Sequence, residues 1–170
     1  MAHESSQSPS DDEVKGWFFE EESRIISFRV ETFQALADSL TGMAGAVVAK
    51  TLLYKVGTEM GRRSFDKWKT DIRNVEDLLK VFDLTAKRRG WGRIVSVTSR
   101  KENGKTVYTF TRSGTPSSYN RRATEPTCNL ERGTCTGWIE GYEGRTAHDS
   151  VETKCVSTGE PFCIFEITFH

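Results

Sequence analysis

Apolar positions change their period several times along the chain, and each change predicts an element. Residues 1–13, MAHESSQSPSDDE, carry no apolar pattern and are expected to form a disordered lead-in to one domain over residues 14–170. Between Gly16 and Val30, two apolar bursts, Trp17-Phe18-Phe19 and Ile25-Ile26-Ser27-Phe28, flank Glu20-Glu21-Glu22-Ser23. Their aromatic and β-branched content predicts two short strands or a hairpin. Phe33, Leu36, Ala37 and Leu40 recur at helical spacing, predicting a helix over 31–40 that Gly42 interrupts. A longer helix is predicted over 43–68, its apolar stripe running through Val48, Leu52, Val56 and Met60. Gly57 and Gly61, four residues apart, let another body approach that helix closely, either within the fold or from a second subunit.

Asn74 caps a third helix over 75–88, with Glu76 and Asp77 in its first turn and Lys87-Arg88-Arg89 before Gly90 at its end. Asn103-Gly104 joins two alternating segments, 91–100 and 105–113, and predicts a hairpin. Val95 and Val97 alternate on one strand, Tyr108 and Phe110 on the other. Residues 114–127 are polar and turn-rich, a loop of a length that is functional or mobile in a compact domain. A helix over 129–142 and two strands, 147–156 and 162–169, complete the chain. The two strands meet at a tight turn around Gly159. The order predicts an α+β domain, a mostly antiparallel sheet with helices packed on one face.

Composition narrows the function. The 170 residues balance 24 basic against 24 acidic side chains, so net charge does not indicate a nucleic-acid surface, and no direct nucleic-acid binding is expected. No apolar run reaches the length of a transmembrane segment. The N-terminus shows no basic region followed by an apolar core, so the cytoplasm is the expected compartment. There, cysteines are thiols or metal ligands more often than disulfides.

All four cysteines, Cys128, Cys135, Cys155 and Cys163, lie in the last third of the chain. Gly159 sits midway between Cys155 and Cys163, so a symmetric hairpin sets these two thiols opposite each other. Opposed residues have Cβ atoms roughly 4.5–5.5 Å apart, a spacing that suits two thiolates on one metal. Cys128, at a helix start, is a third candidate ligand, favoured as a thiolate by the helix dipole. Glu152, Cys135 and His148 are candidates for the fourth. Buried structural cysteines or a redox pair are the alternatives. The sequence holds no Gly-x-Ser-x-Gly elbow, Walker loop or dinucleotide fingerprint, and an enzyme is not expected. Trp91, Tyr108, Phe110, Trp138 and Tyr142 are candidates to line an apolar ligand pocket or simply to fill the core.

Three stretches carry a resemblance: Cys128-Asn-Leu-Glu-Arg-Gly133, Gly137-Trp-Ile-Glu-Gly141, and Glu152-Thr-Lys-Cys155 followed after a seven-residue gap by Cys163-Ile-Phe-Glu166. The chain here resembles the 4-vinyl-reductase domain family. That family includes the sensor domains of phenol- and xylene-responsive transcription activators and is related in fold to TRAPP vesicle-tethering subunits. The resemblance implies a TRAPP-like ligand-binding fold and zinc held by Cys128, Glu152, Cys155 and Cys163. It leaves Cys135 as a substitute ligand or a redox thiol. It also implies a homodimer that binds a small hydrophobic or aromatic molecule and signals through a separate, unknown protein partner, with Tyr108, Phe110 and Trp138 as ligand-binding candidates. A structural or assembly adaptor and a thiol-based redox sensor are the rival expectations. An enclosed apolar cavity above about 300 Å³ marks the ligand reading; a filled core marks the adaptor.

Overall fold

The computed structural model describes residues 28–170 and the backbone of 18–20 and 23–25. The expected lead-in over 1–13 lies outside the described residues. Strands β1 (Phe18–Glu20) and β2 (Ser23–Ile25) pair antiparallel with Phe18 opposite Ile25, two short strands as expected, although β2 holds only Ile25 of the second apolar burst. Helices α1 (Val30–Ala44) and α2 (Ala46–Trp68) follow. The break between them falls at Gly45, not at Gly42 as expected. Gly45 has φ of 82°, which a side chain resists, whereas Gly42 fits within α1.

Helix α3 (Val75–Arg88) starts and stops at the predicted residues. The Asp77 amide donates to the Asn74 side chain at 2.9 Å, which satisfies a donor the helix itself cannot. Strands β3 (Arg93–Glu102) and β4 (Lys105–Ser113) form the predicted hairpin, with φ of 48° at Asn103 and 76° at Gly104. A register shift between Ile94 and Ser96 corrects the alternation expected of β3. Ile94 and Val97 turn inward, and Val95 between them is exposed, because the extra residue of a bulge reverses the facing.

Helix α4 (Asn129–Glu143) runs through Gly141 and ends at Gly144, which takes the left-handed conformation. Strands β5 (Asp149–Lys154) and β6 (Cys163–Phe169) end the chain. They are joined by a 3-10 turn at Val156–Thr158 and by Gly159 at φ of 102°, in place of the tight turn expected.

The strands form one antiparallel sheet in the order β3-β4-β6-β5. On β6, Cys163, Phe165, Ile167 and Phe169 face the helices; on β4, Tyr108, Phe110 and Arg112 do. The opposite face is polar, with Arg100 bonded to Thr109 and Glu166. Helices α3 and α4 lie against the sheet, and α2 lies across α4. The fold is α+β, as the element order predicts.

The contact between α2 and α4 is made backbone to backbone. A Cβ on Gly57 would meet the Leu130 carbonyl, and one on Gly137 the Thr58 carbonyl. The small-residue face of α2 therefore packs inside the fold. Its apolar stripe of Val48, Leu52, Val56 and Met60 is exposed. The core is aromatic: the Trp138 ring stacks on Phe82 at 4.6 Å, with Phe65 edge-on to Trp138 at 6.1 Å.

Candidate functional site

Four residues from three elements converge on one cluster. Cys128 stands at the N-cap of α4, Glu152 on β5, Cys155 just past the end of β5, and Cys163 at the first residue of β6. One ligand atom from each lies within 4.8 Å of the others. The sulfur of Cys128 is 3.5 Å from that of Cys163 and 3.8 Å from that of Cys155; Cys155 and Cys163 are 3.9 Å apart. All three cysteines are fully buried.

Glu152 reaches this cluster through an irregularity in β5. Three residues separate it from Cys155, which in a regular strand places the two side chains on opposite faces. Glu152 pairs with Phe165, but Lys154 pairs with Ile164, so Thr153 is the extra residue of a bulge. The bulge turns Glu152 and Cys155 to the same side.

The donor set fits a tetrahedral metal. Zinc about 2.3 Å from each sulfur requires sulfur–sulfur separations of about 3.8 Å, near those present here. Glu152 Oε2 accepts the Cys128 amide at 3.0 Å, and its buried Oε1 has no hydrogen-bond partner. Such an orphaned acceptor costs about 1–3 kcal/mol, and a cation beside it removes that cost. These four residues form a buried group able to hold a metal ion.

The charge balance of the cluster points the same way. Hydrogen bonds from Cys128 and Cys163, followed by one from Ser157, hold the Cys155 thiol far below its ordinary value. Hydrogen bonds with Cys155 and Cys163, and then burial, push the Cys128 thiol well above its own. Burial, then the neighbouring Cys155, pushes the Glu152 carboxyl up to about 9. A dication is the partner that lets protons leave a cluster of thiols and a carboxyl held this close together.

The loop at 114–127 is buried in its first part and exposed from Tyr119 onward at several positions. Thr115, Ser117 and Ser118 are buried. The Thr115 hydroxyl lies 3.3 Å from the Cys128 sulfur and 3.5 Å from that of Cys163. Ser117 donates its amide and hydroxyl to the buried Glu131 carboxylate at 2.9 and 2.7 Å, which fastens the loop to α4.

Cys135 does not join the cluster. It is buried on α4 beside the Arg112 guanidinium, 3.8 Å away, and burial pushes its thiol up to about 11. His148 lies in an open surface groove with Arg62 and Glu140 and is not among the clustered groups. Of the ligand candidates, Trp138 lines a cavity of about 50 Å³ between α2, α3 and β4. Phe110 lies in the core at 6.2 Å from Phe82, and Tyr108 is edge-on to Phe169 and bonded to Glu143.

Sequence reasoning passed over two groups here. Thr115 and Ser118 were hidden within a loop that reads only as polar. Arg112 was legible: it shares the parity of Tyr108 and Phe110 on β4, so strand alternation alone places an arginine on the core face.

The fold is an α+β domain that carries a buried group of three cysteines and one glutamate. Among solved structures, the chain is similar to the phenol-responsive sensory domain of the transcription activator PoxR with phenol. The TM-score is 0.76 at 21% identity, over 95% of this chain and 83% of that one. It is also similar to a vinyl-4-reductase family protein from Methanocaldococcus jannaschii, at a TM-score of 0.53 and 23% identity, over 86% of this chain and 83% of that one. No family model matches the sequence, and no curated protein matches it. No helix among the described residues is long and apolar enough to cross a membrane.

Proposed function

We propose that this chain is a zinc-containing sensor domain that binds a small hydrophobic or aromatic molecule and reports it to a protein partner. The observation that carries the reading is the likeness, over 95% of the chain, to a phenol-responsive sensory domain. Three thiolates and a carboxylate suit zinc above harder cations. With four protein ligands the site is closed, so its role is structural: it clasps the start of α4 to β5 and β6. The cytoplasm, which keeps thiols reduced, is the proposed compartment.

A homodimer is part of this reading. Val48, Leu52, Val56 and Met60 form an exposed apolar row along α2, continued by Met43 and Val47. Such a row on a water-soluble surface calls for a cover, and a second copy of the chain is the one we propose.

Metal analysis of the purified chain and of Cys155→Ser tests the clasp. Zinc bound by wild type and lost by the variant supports it; unchanged zinc content sinks it. Native mass spectrometry and thermal shift with phenol and toluene test ligand binding. A bound mass or a raised midpoint supports the sensor. The rival reading is a TRAPP-like adaptor without a ligand, and the small volume of the cavity, about 50 Å³, favours it.

A further inference from the structure

Arg112 is the one buried guanidinium whose charge the rest of the fold leaves unanswered among the described residues. It is 1% exposed, on the helix-facing side of β4. Its Nη2 donates to the Trp91 carbonyl at 2.6 Å, and Nη1 lies 3.8 Å from the Cys135 sulfur. Its Nε has no partner. No carboxylate of the described residues is ion-paired with it; its other neighbour is the Phe82 ring, 5.7 Å away. An arginine cannot shed its proton to escape this position. Burial of an unpaired charge is costly, so such groups are paired in the working state of a protein.

Arg112 also lines the cavity of about 50 Å³. Phe82, Ala86, Trp91 and Trp138 supply its apolar walls, Met60 and Ser64 line it from α2, and no acidic side chain of the described residues lines it. The enclosed volume holds roughly one or two waters, or one carboxyl group. Met60 is partly exposed, so the cavity opens toward the surface there. Nε is the unpartnered donor, and it lies on the edge of the planar fork, shared with Nη2, that a carboxylate engages.

We propose that the ligand of this cavity is a small monocarboxylate, its anionic end on Arg112 and its apolar body extending past Met60 toward the opening. The inference rests on the sensor reading and replaces a neutral ligand with a charged one. A carboxylate matches the site better than a phosphate, because Nη2 is already engaged by the Trp91 carbonyl and few donors remain, whereas a phosphate presents three oxygens to satisfy.

Titration calorimetry of the full chain as purified tests this, with propionate and benzoate against their neutral counterparts propanol and benzyl alcohol. The expected result is carboxylate binding at least tenfold tighter than alcohol binding. Arg112→Met is expected to weaken carboxylate binding at least tenfold with zinc content and far-UV circular dichroism unchanged. In wild type, the Arg112 Nε–H resonance is expected to shift on adding benzoate, a readout that needs no folded variant. Alcohols or phenol binding as tightly as carboxylates overturns the anionic site and leaves the sensor reading standing. Loss of zinc in a folded Arg112→Met also overturns it, because the arginine then serves the thiolate cluster. If neither acids nor neutral compounds bind, both readings fall.

Discussion

Glu152 shows how one residue can be held for a partner. Its Oε2 is fixed by the Cys128 amide while Oε1 stays buried and unbonded, beside three sulfurs. Hydroxyls of Thr115, Ser118 and Ser157 surround those sulfurs, and Thr115 alone lies near two of them. Groups that orient metal ligands in this way commonly contribute 10–100-fold in affinity. Thr115→Val, which keeps the shape and removes the hydroxyl, is therefore expected to weaken zinc by about tenfold or more. Competition with a chromogenic chelator measures this, and an unchanged affinity counts against a supporting role for the loop. At this scale much was readable: three cysteines stood out by position, and Glu152 through the Glu-x-x-Cys pattern. Thr115 was not, since a hydroxyl in a polar loop carries no mark of what it will face.

At the scale of elements, the glycines of α2 and α4 decide how the two helices meet. Gly57 and Gly61 face Gly133 and Gly137, and each position has a carbonyl where a Cβ would stand. Gly61→Ala is expected to destabilise by about 1–3 kcal/mol, the usual cost of overpacking. Gly42→Ala, in an exposed part of α1 with open space around it, is expected to stabilise by up to about 1 kcal/mol. Urea unfolding of both variants checks the pair, and a common sign for the two contradicts the packing argument. A second joint ties α3 to β3. Asp83 accepts the Ile94 amide at 2.9 Å and two bonds from Arg93, at 2.8 Å from Nε and 2.8 Å from Nη2. The Arg93 bond holds the Asp83 carboxyl below the usual carboxylate range. A depressed value contributes stability above the unfolded pKa, and that stability is lost as pH falls through the folded one. Asp83→Asn keeps an oxygen for the Ile94 amide and is expected to cost about 1 kcal/mol or less at neutral pH, through loss of the solvent-screened charge pair with Arg93. Denaturation of both proteins as a function of pH should show the difference closing in acid; a constant difference argues against the linkage.

For the whole molecule, the open surface of α2 is the unfinished feature. Leu52 and Val56, 42% and 52% exposed, lie at the middle of its apolar row. Leu52→Glu is expected to give a monomer of unchanged secondary structure and unchanged zinc content, by light scattering coupled to size exclusion. A dimer that persists places the subunit contact elsewhere.

The sequence by itself determined the elements, because their signals are local. Spacing of three and four marks α1, α2 and α4; alternation marks β4 and β6; Asn74 and Asn103-Gly104 set a helix start and a hairpin by their own side-chain and backbone chemistry. Tertiary structure decided what those elements face. A bulge of one residue at Thr153 turns Glu152 onto the thiols, and another at Val95 reverses β3, and neither leaves a trace in composition. The apolar stripe of α2 lies outward and the glycine stripe inward, because α4 offers a groove of matching glycines far along the chain. Arg112 shows both sides of this division. Its parity on β4 places it inward from sequence alone, but its isolation from every carboxylate of the described residues depends on contacts with α3, α4 and the Trp91 carbonyl.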